Sequence, residues 1–152
     1  MKKGTTIIEL LLVMSIVCII FSFSNKGYHY FLKIKNDMEI NNFFTSLESE
    51  MYYAKLFCKE KQRTGLITIR TEEKNITLIF NCDGTIEETK FNRVLSVYDE
   101  VNKEYIERAP IMINYDGYIE SKTIKFVDKS DNIYYLTIRP GGNKISIKKY
   151  EE

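Results

Sequence analysis

Lys2-Lys3-Gly4-Thr5-Thr6-Ile7-Ile8-Glu9 runs without a break into Leu10-Leu11-Leu12-Val13-Met14-Ser15-Ile16-Val17-Cys18-Ile19-Ile20-Phe21. A basic dipeptide, a glycine and a single carboxylate open a long apolar run. As a helix at about 1.5 Å per residue, residues 5–23 would extend roughly 28 Å, close to the hydrocarbon thickness of a bilayer, so a membrane-spanning helix is expected. About a dozen Leu, Ile, Val and Phe residues, each favourable by roughly 0.3 to 0.6 kcal/mol, outweigh an acid that costs roughly 2.5 to 3.5 kcal/mol at mid-membrane and less near an end. Lys2 and Lys3 place the N-terminus in the cytoplasm by the positive-inside rule, against a weaker vote from Lys26, Lys33 and Lys35 on the far side. Tyr28, Tyr30 and Phe31 follow where an interfacial aromatic belt is expected.

Because intramembrane carboxylates are seldom idle, Glu9 asks for a function. The order Lys2-Lys3-Gly4, Thr5, Glu9, apolar run resembles the N-terminus of type IV prepilins and pseudopilins. In that family a dedicated membrane peptidase cuts after the glycine and methylates the new N-terminus. The resemblance implies processing between Gly4 and Thr5 and sets Glu9 at the fifth position of the processed chain, where the family places its glutamate. Thr5 stands where the family usually has Phe, which bears on methylation more than on cleavage. The amine created on Thr5 would be positive, and in a bundle of related helices it can pair with Glu9 of a neighbour. At about 4 Å and an effective dielectric near 20, such a pair is worth on the order of 4 kcal/mol before desolvation. Glu9 would then set the stagger of assembly. The competing reading is an ordinary secretory signal peptide, with Ser22-Phe23-Ser24 as the small-x-small site and Asn25 as the first mature residue.

Composition bounds the remainder. The 152 residues carry 22 basic and 21 acidic side chains, so net charge excludes neither acidic nor basic partners. The distribution is uneven: nine acids and four bases between residues 72 and 107, against seven bases and two acids between 121 and 150. Lys122, Lys125, Arg139, Lys144, Lys148 and Lys149 are interleaved with Tyr134, Tyr135 and Tyr150, a composition that could meet a phosphate backbone. Because alternating strands scatter these charges over two faces, the favoured expectation is a solvated sheet face or a basic surface facing the acidic surface of a neighbouring subunit. Cys18 lies in the apolar run. Cys58 and Cys82 belong to the exported part, where a disulfide is permitted; they either bond, contributing roughly 3 kcal/mol in the chain-entropy description, or remain two thiols.

From Ile40 the apolar residues Phe43, Leu47, Met51, Ala54 and Cys58 recur at helical spacing, one stripe of an amphipathic helix. Lys59, Lys61 and Arg63 crowd its last turn, and Gly65 follows. Beyond it the pattern becomes short β-prone runs separated by turns at Asp83-Gly84, Asp116-Gly117, Ser130-Asp131-Asn132 and Pro140-Gly141-Gly142-Asn143. A meander is expected, with an exposed loop over residues 99–110 ending at Pro110. The predicted organisation is a leader peptide (1–4), a transmembrane assembly helix (5–27), an amphipathic helix entering the globular domain (28–64) and an antiparallel β-sheet domain (65–152). The fold class is α+β and pilin-like: a long N-terminal helix, its first half membrane-spanning and its second amphipathic, packed on an antiparallel sheet. The strands Thr123-Ile124-Lys125-Phe126, Tyr134-Tyr135-Leu136-Thr137-Ile138 and Gly141-Gly142-Asn143-Lys144-Ile145-Ser146-Ile147 are similar to the closing strands of H-type minor pseudopilins of type II secretion and of Gram-positive competence systems.

Catalytic motifs are missing. His29 is the only histidine, and there is no Cys-x-x-Cys, His-Glu-x-x-His, phosphate-binding loop or Gly-x-Ser-x-Gly. Glu72-Glu73 and Glu87-Glu88 are adjacent pairs whose side chains diverge on a strand or enter solvent. The chain thus reads as the substrate of an enzyme, prepilin peptidase, with no cofactor, metal or small-molecule substrate of its own. The resemblance implies a minor pilin-like subunit of a competence pilus for DNA uptake, lodged singly across the cell membrane with its C-terminal domain outside and later joining a surface filament with other pilins through the N-terminal helix. Secretion pseudopilin and type IV pilus minor pilin are the alternatives. A membrane-tethered or secreted binding module is the reading of a different class.

Overall fold

The computed structural model describes residues 6–139 and 145–150; within its helix, the side chains of 21–26 lie outside the description. Helix α1 (Ile7–Lys61) is followed by nine strands: β1 (Gly65–Thr71), β2 (Asn75–Cys82), β3 (Thr85–Asn92), β4 (Leu95–Asp99), β5 (Glu104–Ile106), β6 (Arg108–Ile113), β7 (Lys122–Asp128), β8 (Ile133–Ile138) and β9 (Ile145–Tyr150). The chain divides into two compact units, Met1–Met38 and Glu39–Glu152.

In the second unit the strands form two antiparallel sheets, one ordered β3-β2-β1-β6 and one ordered β5-β4-β7-β8-β9. The helical stripe Ile40, Phe43, Leu47, Met51, Ala54 and Cys58 is buried in the same core as Ile67, Ile69 and Phe80 of the first sheet and Val97, Phe126 and Leu136 of the second. Phe43 shows how that core is joined. Its ring meets Phe91 of β3 at 5.6 Å and Phe126 of β7 at 5.8 Å, both edge to face. Burying a side chain of this size contributes about 1.5 to 3 kcal/mol, before the aromatic geometry adds to it.

The expected fold needs correction. The strands do not make one sheet, and among the described residues no helix is long and apolar enough to cross a membrane. The sheet divides because alternation along a strand fixes which side chains face the core but not which strand lies alongside. After β3 the chain enters the other sheet as β4, which pairs with β7, and then returns as β6 to pair with β1. Residues 99–110, read as an exposed loop, contain β5 and the start of β6. Pro110 sits inside β6, opposite Thr68, and is accommodated because β6 is an edge strand whose other side needs no ladder donor.

Local chemistry explains the connections. Asp83 and Gly84 both have positive φ, 51° and 81°, the two left-handed central residues of a type I′ hairpin joining β2 to β3. At the end of α1, Gln62 takes φ 53° and the Arg63 N–H donates to the Cys58 carbonyl at 3.1 Å, a Schellman closure three residues before Gly65. Gly117, at φ 80°, lies so near the helix that a Cβ there would stand 2.9 Å from the Lys55 carbonyl oxygen. Between β7 and β8 the buried Asp128 carboxylate accepts bonds from the Ser130 and Asn132 backbone N–H groups at 2.7 and 2.9 Å and from Asn132 Nδ2 at 2.8 Å.

Candidate functional site

Gly4 and Thr5 lie outside the described residues, and Glu9 opens α1. The Thr6 N–H donates to Glu9 Oε2 at 3.1 Å, and the Glu9 N–H donates to Thr6 Oγ1 at 3.3 Å. This is a reciprocal capping box, which satisfies donors that the first turn of a helix leaves unpaired and puts a negative charge at the positive end of the helix dipole. Its signature, Thr6-Ile7-Ile8-Glu9, is legible in the sequence, a threonine three residues before a glutamate at the head of an apolar run. Beyond the box, the large apolar residues of 7–20 are all exposed, from 44% at Val17 to 79% at Ile7. Within the first unit, then, an anionic cap precedes large apolar side chains that are exposed among the described residues.

The two cysteine sulfurs of the second unit do meet. Cys58 on α1 and Cys82 on β2 are both buried thiols, with Sγ atoms 3.7 Å apart. Gly65 makes room for them, since a Cβ there would come within 2.5 Å of Cys58 Sγ. Burial, and then the bond to Cys82, push the Cys58 thiol up to about 12. At neutral pH it is protonated and a poor nucleophile.

The basic residues of the C-terminal strands fall on two faces. Lys122 pairs with Ile138 on the core-facing parity of β7, and its Nζ donates to the Pro110 carbonyl at 2.8 Å. Lys149 lies opposite Tyr134, its Nζ 6.0 Å from the ring centroid. Lys144 lies outside the described residues. Lys125 and Lys148 share the outer face, where register builds one row across all five strands: Tyr105, Tyr98, Lys125, Tyr135, Lys148. Lys125 Nζ lies 4.8 Å from the Tyr98 ring centroid and 3.5 Å from Glu100 Oε1. The Tyr135 hydroxyl donates to that same oxygen at 2.8 Å; this bond, and then partial burial, raise the phenol above its ordinary range. Arg139 and Lys148 line a shallow groove beside this row, together with Tyr135 and Tyr150. Tyr98, Tyr105 and Glu100 were not singled out in the sequence, because only pairing brings them together.

Among the described residues no group of three or more His, Cys, Asp or Glu side chains could hold a metal ion. No protein-family profile, curated protein or solved structure matches the chain.

Proposed function

We propose that this chain is a minor pilin-like subunit, a pseudopilin, of a competence pilus for DNA uptake, made as a precursor and processed by prepilin peptidase after Gly4. The supporting observation is the first unit: a Gly4-Thr5 junction, an acid five residues beyond the glycine, and large apolar side chains from Ile7 to Ile19 that are exposed among the described residues. Each such side chain contributes about 1.5 to 3 kcal/mol if it becomes fully buried, so neighbouring helices of the same kind are its natural cover. In this reading the protein is held at the cell membrane by its N-terminal segment before assembly, with the second unit outside the cytoplasm. Its partners are prepilin peptidase, other pilins and the membrane. It has no small-molecule substrate and does not act as an enzyme, and contact with DNA would fall to the outer face of the second sheet. A secretion pseudopilus would use the same parts.

Intact mass of the protein recovered from producing cells tests the reading. A chain beginning at Thr5 is expected, with or without the added mass of an N-terminal methyl group. A chain that retains Met1 to Gly4 overturns the proposal; one that begins at Asn25 replaces it with a secreted binding module.

A further inference from the structure

We infer that Cys58 and Cys82 are a site of oxidative modification: an intramolecular disulfide that fastens the end of α1 to β2, made as the second unit folds outside the cytoplasm. The structure holds the dithiol form. Its Sγ atoms lie 3.7 Å apart and a disulfide spans about 2.05 Å, so a closure of about 1.7 Å, shared between two side chains, separates them from a bond. Gly65 permits the approach. It stands opposite Cys82 in the β1–β2 ladder, and the Cys58 sulfur occupies space that a side chain at Gly65 would need.

No other chemistry claims these sulfurs. They are the only cysteines of the second unit, since Cys18 belongs to the first. Two thiolates are an incomplete zinc site, and among the described residues no third His, Cys, Asp or Glu joins them. Export supplies the oxidising surroundings in which such a pair persists, and for that compartment alone the inference rests on the proposed function.

Burial decides when the bond forms. Cys58 is 0% and Cys82 1% exposed, so an oxidant has no access to either sulfur in the folded domain. Burial also pushes the Cys58 thiol from 9.0 up to about 12, which makes its reactive thiolate about a thousandfold scarcer after folding. Oxidation therefore belongs to the chain before the domain closes. One cysteine's thiolate attacks the disulfide of an oxidant, a thiol–disulfide oxidoreductase or oxidised glutathione, and expels one of its sulfurs as thiolate. The second cysteine's thiolate then attacks the first cysteine's sulfur and expels the other half of the oxidant. Cys58 and Cys82 give up two protons and two electrons, and the oxidant's disulfide is reduced to two thiols. Folding then shields the product. The bond joins residues 24 apart in sequence and lies one turn from the end of α1 at Lys61. A helix pulled from its exposed end could not be drawn out of the second unit without breaking it.

Refolding of the full-length protein in detergent tests the inference, in a Cys18→Ser background that leaves only this pair. Chains reduced in denaturant and refolded in a glutathione redox buffer should take up no N-ethylmaleimide when unfolded again, and should weigh about 2 Da less than the dithiol protein. Two labels per chain overturn the proposal. Chains first folded in reductant and then moved to the same buffer should oxidise about a hundredfold more slowly or worse. Equal rates contradict closure before folding. The bonded protein should melt about 10 °C above the dithiol protein, and Cys82→Ser carried through the same two preparations should show no such gap. A bonded protein that melts with the dithiol form is not fastened by the bond, and the inference falls. Refolding involves no processing, so failure here leaves cleavage at Gly4 standing. A chain recovered from cells with Met1 to Gly4 intact strikes the processing reading instead and leaves these measurements unchanged.

Discussion

Apolar side chains of the same kinds have opposite fates in the two units. Leu11 and Leu12 are 63% and 58% exposed, whereas Leu47 on the same helix is wholly buried. The difference does not lie in the helix, which is regular in both stretches. It lies in what the rest of the chain supplies: from Ile40 onward two sheets close over one stripe, while the described residues of the first unit include no strand. Hydrophobic burial is proportional to area removed from water, so the apolar stripe of the second unit is stabilised within the monomer, whereas Leu11 and Leu12 of the first gain nothing from burial there.

Truncation separates these two fates most sharply. Phe43→Ala should cost about 3 to 5 kcal/mol of stability in denaturant unfolding, because it opens a cavity where helix and both sheets meet. Leu11→Ala in the same measurement should change stability by less than about 0.5 kcal/mol, since it removes surface already in water. A comparable loss from both would erase the distinction between the units. Asp128→Ala should come next, at about 1.5 to 3 kcal/mol, because it strips the carboxylate that several N–H groups of the β7–β8 turn converge on. Amide exchange should then accelerate at Ser130 and Asn132 before it does in the rest of the second sheet.

The thiols repeat the comparison. Cys18 is exposed and Cys58 buried. At pH 8 an alkylating agent should modify Cys18 while leaving Cys58 intact. The alkaline limb gives the sign of the coupling. Cys58 is held neutral by the fold up to about 12, while the unfolded chain would release the proton near its ordinary value of 9.0. Stability should therefore be level below about 9 and fall between about 9 and about 12, by on the order of 1 kcal/mol per pH unit. A Cys58→Ser variant should flatten that limb. An unchanged slope would mean that the buried thiol is not what titrates.

Much of this could be read from residue order alone. The stripe from Ile40 to Cys58 is visible because its spacing repeats the helical period, and all six of its residues are in the core. Asp83-Gly84 marks its hairpin because few other dipeptides accept two positive φ values. Tyr134, Leu136 and Ile138 alternate onto one face and are all buried. What the order did not disclose is partnership. Nothing local says that β6 returns to β1, or that Tyr98, Lys125 and Tyr135 come from three strands into one row. Short strands such as Glu104–Ile106 are also hidden, since three residues carry too little alternation to separate them from a loop. The same limit explains the expected single sheet: one pattern of faces is compatible with one sheet or with two.

Glu9 offers the finest division between what a chain does alone and what it does in company. In the monomer its carboxylate accepts from the Thr6 N–H as part of a capping box; in a filament it would face the new amine of a neighbour. The two roles make different demands on chemistry, because the box needs an acceptor and the ion pair needs a charge. Glutamine supplies the acceptor without the charge. Glu9→Gln should thus leave amide exchange over Ile7 to Leu11 near wild type, while Glu9→Ala should fray that turn by an amount equivalent to about 0.5 to 1 kcal/mol. Filament incorporation should fall for both. If Glu9→Gln assembles normally and only Glu9→Ala fails, the residue acts as a helix cap and the intermolecular pair drops out. If both assemble normally, neither role limits assembly, and the exposed apolar surface alone must set the stagger.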